Sequence, residues 1–406
     1  MTLRALARVN LAAIERNVAR LRRQLAGGAQ LCAVVKADGY GHGAVAAGRA
    51  ALAGGASWLA VATASEGLEL RRGGIESRLL VMGAVSDEEL PLALEADADL
   101  VAWDERFVSV VEAAARSRGE AVRLHVKLDT GMGRLGTRDL RQAVAVAERI
   151  AAEDPALELA GAMTHFATAD EDLEFLAHQL ERFGPFVEQV RALRPRVVVH
   201  AANSAAVLHA PGSHFDLVRC GIAIYGCDPV NEDPLARDLE PALELTSYVA
   251  AVKRAQPGDS VGYGRLFIAQ EPTWIATVPI GYGDGIRRAL SGSCELLVGG
   301  RRYPLAGAVS MDNITLDVGP SPQVGVGERV TVIGSDGGER VTAEELARAI
   351  GTINYEVVCA ISSRVPRAYH RDGLPAGEET VPVGEDLGSP GEGGVCRDEG
   401  GVSAGG

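Results

Sequence analysis

The chain has 406 residues, 47% of them hydrophobic but only 4% aromatic, enough for one large domain plus a smaller one packed with Ala, Leu and Val. A net charge of −14 speaks against nucleic acid, whose phosphate backbone is gripped by basic surface. The N-terminal residues are broken up by Arg4, Arg8, Glu15, Arg16 and Arg20, and no apolar run approaches the ~20 residues of a membrane span, so a cytoplasmic protein with no membrane partner is expected.

Short apolar runs recur at 31–36, 58–62, 79–83, 99–102, 122–128, 159–164, 196–200 and 217–225. Several are apolar throughout rather than alternating, as strands covered on both faces are. Between them lie helical signals: Ser86-Asp-Glu-Glu89 has capping-box spacing, and 44–53, 104–116 and 140–152 are Ala- and Leu-rich with charges at helical intervals. Eight such alternations predict an α/β fold with an N-terminal (β/α)₈ barrel, although alternation alone also permits a doubly wound open sheet. Asn231-Glu-Asp-Pro234 reads as a linker. Beyond it, breaks at Pro257-Gly258, Gly299-Gly300 and Gly337-Gly338, with strands at 328–333 and 356–361, predict a mostly antiparallel β domain. Thr342-x-x-Glu345 marks the one short helix expected there. After Pro375 the composition turns to Gly, Pro and acids, and a disordered tail is expected.

Reactive groups of a (β/α)₈ barrel sit at the C-terminal ends of its strands. Lys36 ends the first run, Lys127 lies in the fifth, and Arg134 follows in the loop Asp129-Thr-Gly-Met-Gly-Arg134-Leu-Gly. His165 ends the sixth, Asn203 and Ser204 follow the seventh, and Arg219 begins the eighth. Taken singly each has a bland reading: an outward-turned lysine, a salt-bridged lysine, a structural histidine. Charged and polar groups at five strand ends are hard to reach by chance. A lysine held against apolar strands loses solvation, its pKa falls, and a neutral amine able to attack a carbonyl appears. Cys220-Gly221-Ile222 offers backbone N–H groups beside Ser204, the arrangement that holds phosphate at a βα loop. A lysine nucleophile with a phosphate cradle and no P-loop points to pyridoxal phosphate. The six cysteines show no metal-like spacing with histidine, and no metal is expected.

The segment Ala33-Val-Val-Lys36-Ala-Asp-Gly-Tyr40-Gly-His-Gly closely resembles the cofactor-lysine motif of the bacterial alanine racemases. Eight further matches follow in order: Lys127 to Gly136, Thr164-His165-Phe, His200-Ala-Ala-Asn203-Ser204, Arg219-Cys-Gly221-Ile222, Gly262-Tyr263-Gly264, Pro279-Ile-Gly-Tyr282, Ser310-Met311-Asp312 and Asn354-Tyr355-Glu356. The resemblance implies a barrel over residues 9–231, a β domain made of 1–8 and 232–372, and an acidic tail at 373–406 outside it. It implies a homodimer whose active sites are shared, and the racemisation of alanine to supply D-alanine for peptidoglycan. Lys36 would hold pyridoxal phosphate as a Schiff base and be one base, with the partner's Tyr263 the other. Arg219 would meet the pyridine nitrogen, with His165 linking it to Tyr263. Tyr40, Asn203, Ser204, Gly221, Ile222 and Tyr355 would hold the cofactor, chiefly its phosphate. Arg134, Met311 and Asp312 would meet the substrate, and Lys127 is carbamylated in some members. Two alternatives stand beside this one: a broad-specificity or serine-preferring racemase on the same scaffold, and a non-catalytic pyridoxal phosphate-binding protein.

Overall fold

The computed structural model describes residues 3–152, 155–321 and 323–376. The tail beyond residue 376, where disorder was expected, lies outside these.

An N-terminal strand β1 (Leu6–Asn10) leads into a helix (Leu11–Arg23) and then into a closed barrel of eight parallel strands. These are β2 (Gln30–Val34), β3 (Trp58–Val61), β4 (Arg78–Val81), β5 (Asp99–Ala102), β6 (Val122–Lys127), β7 (Leu157–Met163), β8 (Val198–His200) and β9 (Leu217–Cys220). β2 pairs with both β3 and β9, which closes the ring and decides against the open sheet. Every residue of β3, β5 and β9 is buried, so these runs do not alternate; β3 is wholly apolar, while β5 and β9 each enclose one charged residue, Asp99 and Arg219. All eight apolar runs contain a strand, but the first stops at Val34, so that Lys36 opens the turn after it instead of ending the strand, and the last stops at Cys220. Its remainder, Ile222–Tyr225, turns into a short 3₁₀ segment. Arg219 is therefore third in its strand, not first.

The helices between strands sit where the caps place them. Ala44–Ala53, Glu105–Arg118 and Leu140–Ala151 cover the predicted ranges almost residue for residue. Asp104 and Asp139 accept from the first-turn amides of the latter two, each satisfying a donor that a helix start leaves open. Ser86 and Glu89 exchange the two bonds of a capping box ahead of Leu90–Glu95.

The second unit is built of antiparallel sheets. One sheet of eight strands contains β1, which pairs with β10 (Leu243–Tyr248) and, in parallel, with Arg367–Arg371. Gly299-Gly300 and Gly337-Gly338 each close a hairpin, Glu295–Val298 on Arg301–Pro304 and Arg329–Asp336 on Glu339–Val341. Pro257-Gly258 does not: the strands flanking it pair elsewhere, Ala251–Ala255 with Thr273–Val278 and Ser260–Val261 with Phe267–Ile268. A second correction concerns 356–361, expected as a strand. Asn354–Cys359 is a helix, the second in this region after Ala343–Ala349. The run Val-Val-Cys-Ala-Ile is short enough for either period, and packing against the barrel's 36–40 turn decides it: the carbonyl of Val358 lies where a Cβ on Gly41 would come within 2.3 Å.

Candidate active site

The sequence Lys36-Ala-Asp-Gly-Tyr40 forms a left-handed turn at the end of β2. Ala37, Asp38, Gly39, Tyr40 and Gly41 all have positive φ, between 51° and 81°. For Ala, Asp and Tyr this costs on the order of 1–2 kcal/mol each, so surrounding contacts must hold it. Glu66 accepts from the Ala37 amide at 2.7 Å while its other oxygen caps the helix Ala64–Arg72 at Ala62 and Thr63. Asp38 accepts from Ala44 at 2.9 Å, closing the turn onto the next helix. Buried His42 donates from Nδ1 to the carbonyls of Tyr40 and Gly39, and burial lowers its pKa to about 4. It stacks on Tyr225, whose hydroxyl donates to the Val34 carbonyl at 3.0 Å. The turn is thus locked from four sides, and Lys36 leaves it toward the barrel mouth.

Burial, followed by the charge of Arg134, lowers the Lys36 pKa, with Glu66 opposing. Lys127, the last residue of β6, is buried, and burial with Arg219 and Arg134 lowers its pKa to about 8. Arg134 itself is exposed on a loop shaped by Asp129, which accepts from the Gly131 and Gly133 amides at 3.0 Å and from Arg138 at 3.1 Å. Arg219 is fully enclosed. Its Nη1 donates to His200 Nδ1 at 2.8 Å, and its Nη2 faces the Thr164 and Ala201 carbonyls, both at 2.9 Å, and His165 Nδ1 at 3.1 Å. Burial lowers its pKa to about 10, still far above neutrality, so it remains a cation. The half-buried His165 has its pKa driven far down by burial and the Arg219 charge, so it is neutral.

The second feature at this end is a cradle of amides and hydroxyls. Ser204 Oγ accepts from the Gly221 amide at 2.9 Å and lies 3.5 Å from that of Ala223. Gly221 packs so closely against Tyr40 that an added Cβ would stand 2.5 Å from its hydroxyl. The Tyr40 ring lies 5.2 Å from Tyr225 and 6.0 Å from Tyr355. Tyr355 reaches this place because Asn354 anchors its helix, donating to the Asp228 carbonyl at 2.7 Å and to Glu344 at 2.9 Å. Two tyrosine hydroxyls, a serine hydroxyl and the amides at 221–223 are the donor set of a phosphate, and the required glycine keeps the space open. The residues fit pyridoxal phosphate: Lys36 beside a nest of phosphate donors, with a cationic arginine on the neighbouring strand β9.

Among the expected residues, Lys36, Tyr40, Lys127, Arg134, His165, Ser204, Arg219, Gly221, Ile222 and Tyr355 gather at this one end. Asn203 lies there too, and its side chain caps the helix Ser204–His209 at 3.0 Å. Tyr263, Met311 and Asp312 do not join them: all three are exposed on the β domain, and Asp312 pairs with Arg364 at 2.7 Å. Sequence reasoning passed over Glu66, Asp99, His125 and His200. Thr63-x-x-Glu66 is a legible capping box, but the bond from Glu66 to residue 37 crosses between elements and has no local signal.

Family models for the alanine racemase N-terminal domain and C-terminal domain match residues 9–229 and 242–369. The alanine racemase of Halalkalibacterium halodurans is 40% identical over 371 residues, covering 90% of this chain and 95% of that one. The crystal structure of alanine racemase from D-cycloserine-producing Streptomyces lavendulae superposes with a TM-score of 0.86 at 37% identity, over 91% of this chain and 98% of that one. That of Bacillus anthracis alanine racemase with bound L-Ala-P gives 0.84 at 37% identity, over 92% and 97%. With a closed parallel barrel, an antiparallel β domain and a lysine and phosphate cradle at one mouth, the chain belongs to the alanine racemase family.

Proposed function

We propose that the protein interconverts L- and D-alanine, with pyridoxal phosphate carried on Lys36 and the second proton-handling group, Tyr263, supplied by a partner subunit. The observation that carries this reading is the pairing of a half-buried, pKa-lowered lysine with the Ser204–Gly221–Tyr40 cradle on the same turn-and-loop surface. When bound, the cofactor supplies electron withdrawal that acidifies the substrate's α-C–H. The chain's own residues do the rest. Tyr40, Ser204, Tyr355 and the Gly221–Ile222 backbone would hold the phosphate. Arg219, unable to release its proton readily, would meet the pyridine nitrogen without protonating it, which would limit side reactions such as transamination. Arg134 faces the substrate carboxylate.

Racemisation takes a proton from one face of Cα and returns one to the other, so it needs bases on opposite sides. Lys36 serves one. Tyr263 is 74% exposed on the β domain, as are Leu266 at 66% and Met311 at 52%. Large apolar side chains left so open are accounted for by a second copy covering them, which makes the functional unit a homodimer. D-Alanine made this way would feed peptidoglycan synthesis. The test is direct: purified protein is incubated with L-alanine and with L-serine while optical rotation is followed, and the cofactor's absorbance band is recorded for wild type and Lys36→Ala. Rotation falling to zero with alanine, and a band lost only in the variant, is expected. A wild type without a band even after pyridoxal phosphate is added sinks the proposal.

A further inference from the structure

Beneath Arg219 a buried file of side chains runs through the barrel. Arg219 Nη1 donates to His200 Nδ1 at 2.8 Å, His200 Nε2 lies 2.7 Å from His125 Nδ1, and His125 Nε2 lies 3.0 Å from Asp99 Oδ2. His200 ends β8, His125 sits within β6 and Asp99 opens β5, so the file passes from the mouth to the floor. All three side chains are fully buried.

Donor and acceptor rules give the file a direction. A guanidinium has no acceptor, so His200 Nδ1 must accept. Burial and the Arg219 charge keep His200 neutral, which puts its proton on Nε2, facing His125 Nδ1. His125 Nδ1 must then accept, and its own proton lies on Nε2, toward the Asp99 carboxylate. The fold makes room for this at some cost to regular structure. Gly161, inside β7, is the residue whose added Cβ would stand 2.0 Å from His125 Nδ1, and the β6–β7 ladder shifts register between Leu124 and His125. Trp58 packs edge-on 5.8 Å from the His125 ring, and the Arg78 guanidinium lies 4.1 Å over Trp58. Among the described residues no carboxylate bonds Arg219, and Asp99 is the one its hydrogen-bond file ends on.

We infer that Asp99, two imidazoles away from Arg219, is a positioning residue for the reaction: its carboxylate locks both histidines as Nε2–H tautomers and thereby aims the Arg219 guanidinium. The inference rests on the proposed place of Arg219 at the pyridine ring. A carboxylate that only tied the barrel floor together would need no more than Arg78 and Arg123, both of which Asp99 also binds.

Two experiments decide it. Nitrogen-15 NMR of the histidine-labelled, cofactor-free protein is expected to show His125 and His200 neutral and protonated on Nε2. A proton on Nδ1 of either ring, or an imidazolium, overturns the inference whatever the cofactor does. In the holoenzyme, Asp99→Asn is expected to shift the cofactor absorbance maximum and lower kcat about tenfold with KM for alanine unchanged. His125→Gln cuts the same link and stands in if Asp99→Asn does not fold. Arg78→Gln and Arg123→Gln, which loosen the floor without cutting the file, should leave spectrum and kcat at wild-type values. A wild-type spectrum and kcat in Asp99→Asn, or the same loss in all four variants, overturns the inference; a missing cofactor band in the wild type fails the functional proposal instead.

Discussion

The barrel mouth and the β-domain loops prepare their functional residues in opposite ways. At the mouth the surroundings fix the central groups: Arg219 by four acceptors, Lys36 by a left-handed turn that Glu66 holds, Ser204 by the Gly221 amide. On the β domain Tyr263 and Met311 stand in the open, with no such enclosure. Enclosure shifts pKa values and fixes geometry, which is what holding and activating a cofactor requires. Exposure leaves surface for another molecule to complete. On the proposed homodimeric reading, one chain carries half of each of two sites rather than one finished site.

The strongest attack on this contrast is Lys36→Ala. Activity should fall by about 10³-fold or more, together with the cofactor band, because one group is both carrier and base. Tyr263→Phe should lower kcat by about 10²–10⁴-fold yet keep the band, since it removes a base without touching the cradle. Mixing the two inactive proteins and letting them exchange subunits should restore about a quarter of wild-type activity, because half of the pairs then hold one intact site. No recovery would mean that Tyr263 serves its own chain's barrel. Gly221→Ala should come next. A Cβ 2.5 Å from the Tyr40 hydroxyl pushes the cradle apart, and cofactor affinity measured by titration should weaken about 10–100-fold.

The smallest effect concerns pH. With its pKa lowered from 10.5 to about 8, Lys127 is mainly ammonium at neutral pH and mainly free amine above 8. Only the amine adds to carbon dioxide, losing a proton to solvent as the carbamate forms. Labelled bicarbonate followed by carbon-13 NMR should show a carbamate signal that grows as pH rises through 8 and is missing in Lys127→Ala. The same shift bears on stability. Between about 8 and 10.5 the unfolded chain binds more protons at this site than the folded one, so Lys127 contributes rising stability across that window and opposes folding below it. A denaturation series that shows no difference between wild type and Lys127→Ala across those pH values would remove the burial argument.

Much of this was legible along the chain, and for a physical reason. A strand covered on both faces is mostly apolar, and a helix start must find acceptors for its open amides. Those demands are local, so eight strands and their capping residues could be read directly. The site lysine stood out because a charge at the end of such a strand breaks the pattern. The reading failed at 217–225 and 356–361, where short apolar runs suit strand, 3₁₀ turn or helix alike and neighbours decide between them. His125 and Asp99 were invisible for a related reason. Nothing in Val122-Arg-Leu-His125-Val-Lys127 says that His125 points inward, or that Gly161 on the next strand is empty to admit it. The sequence by itself determined the elements, their order and the types of group at each strand end. Closing the ring decided which of those groups meet, because bonds such as that from His200 to His125, across 75 residues, exist only once the parallel strands are in register.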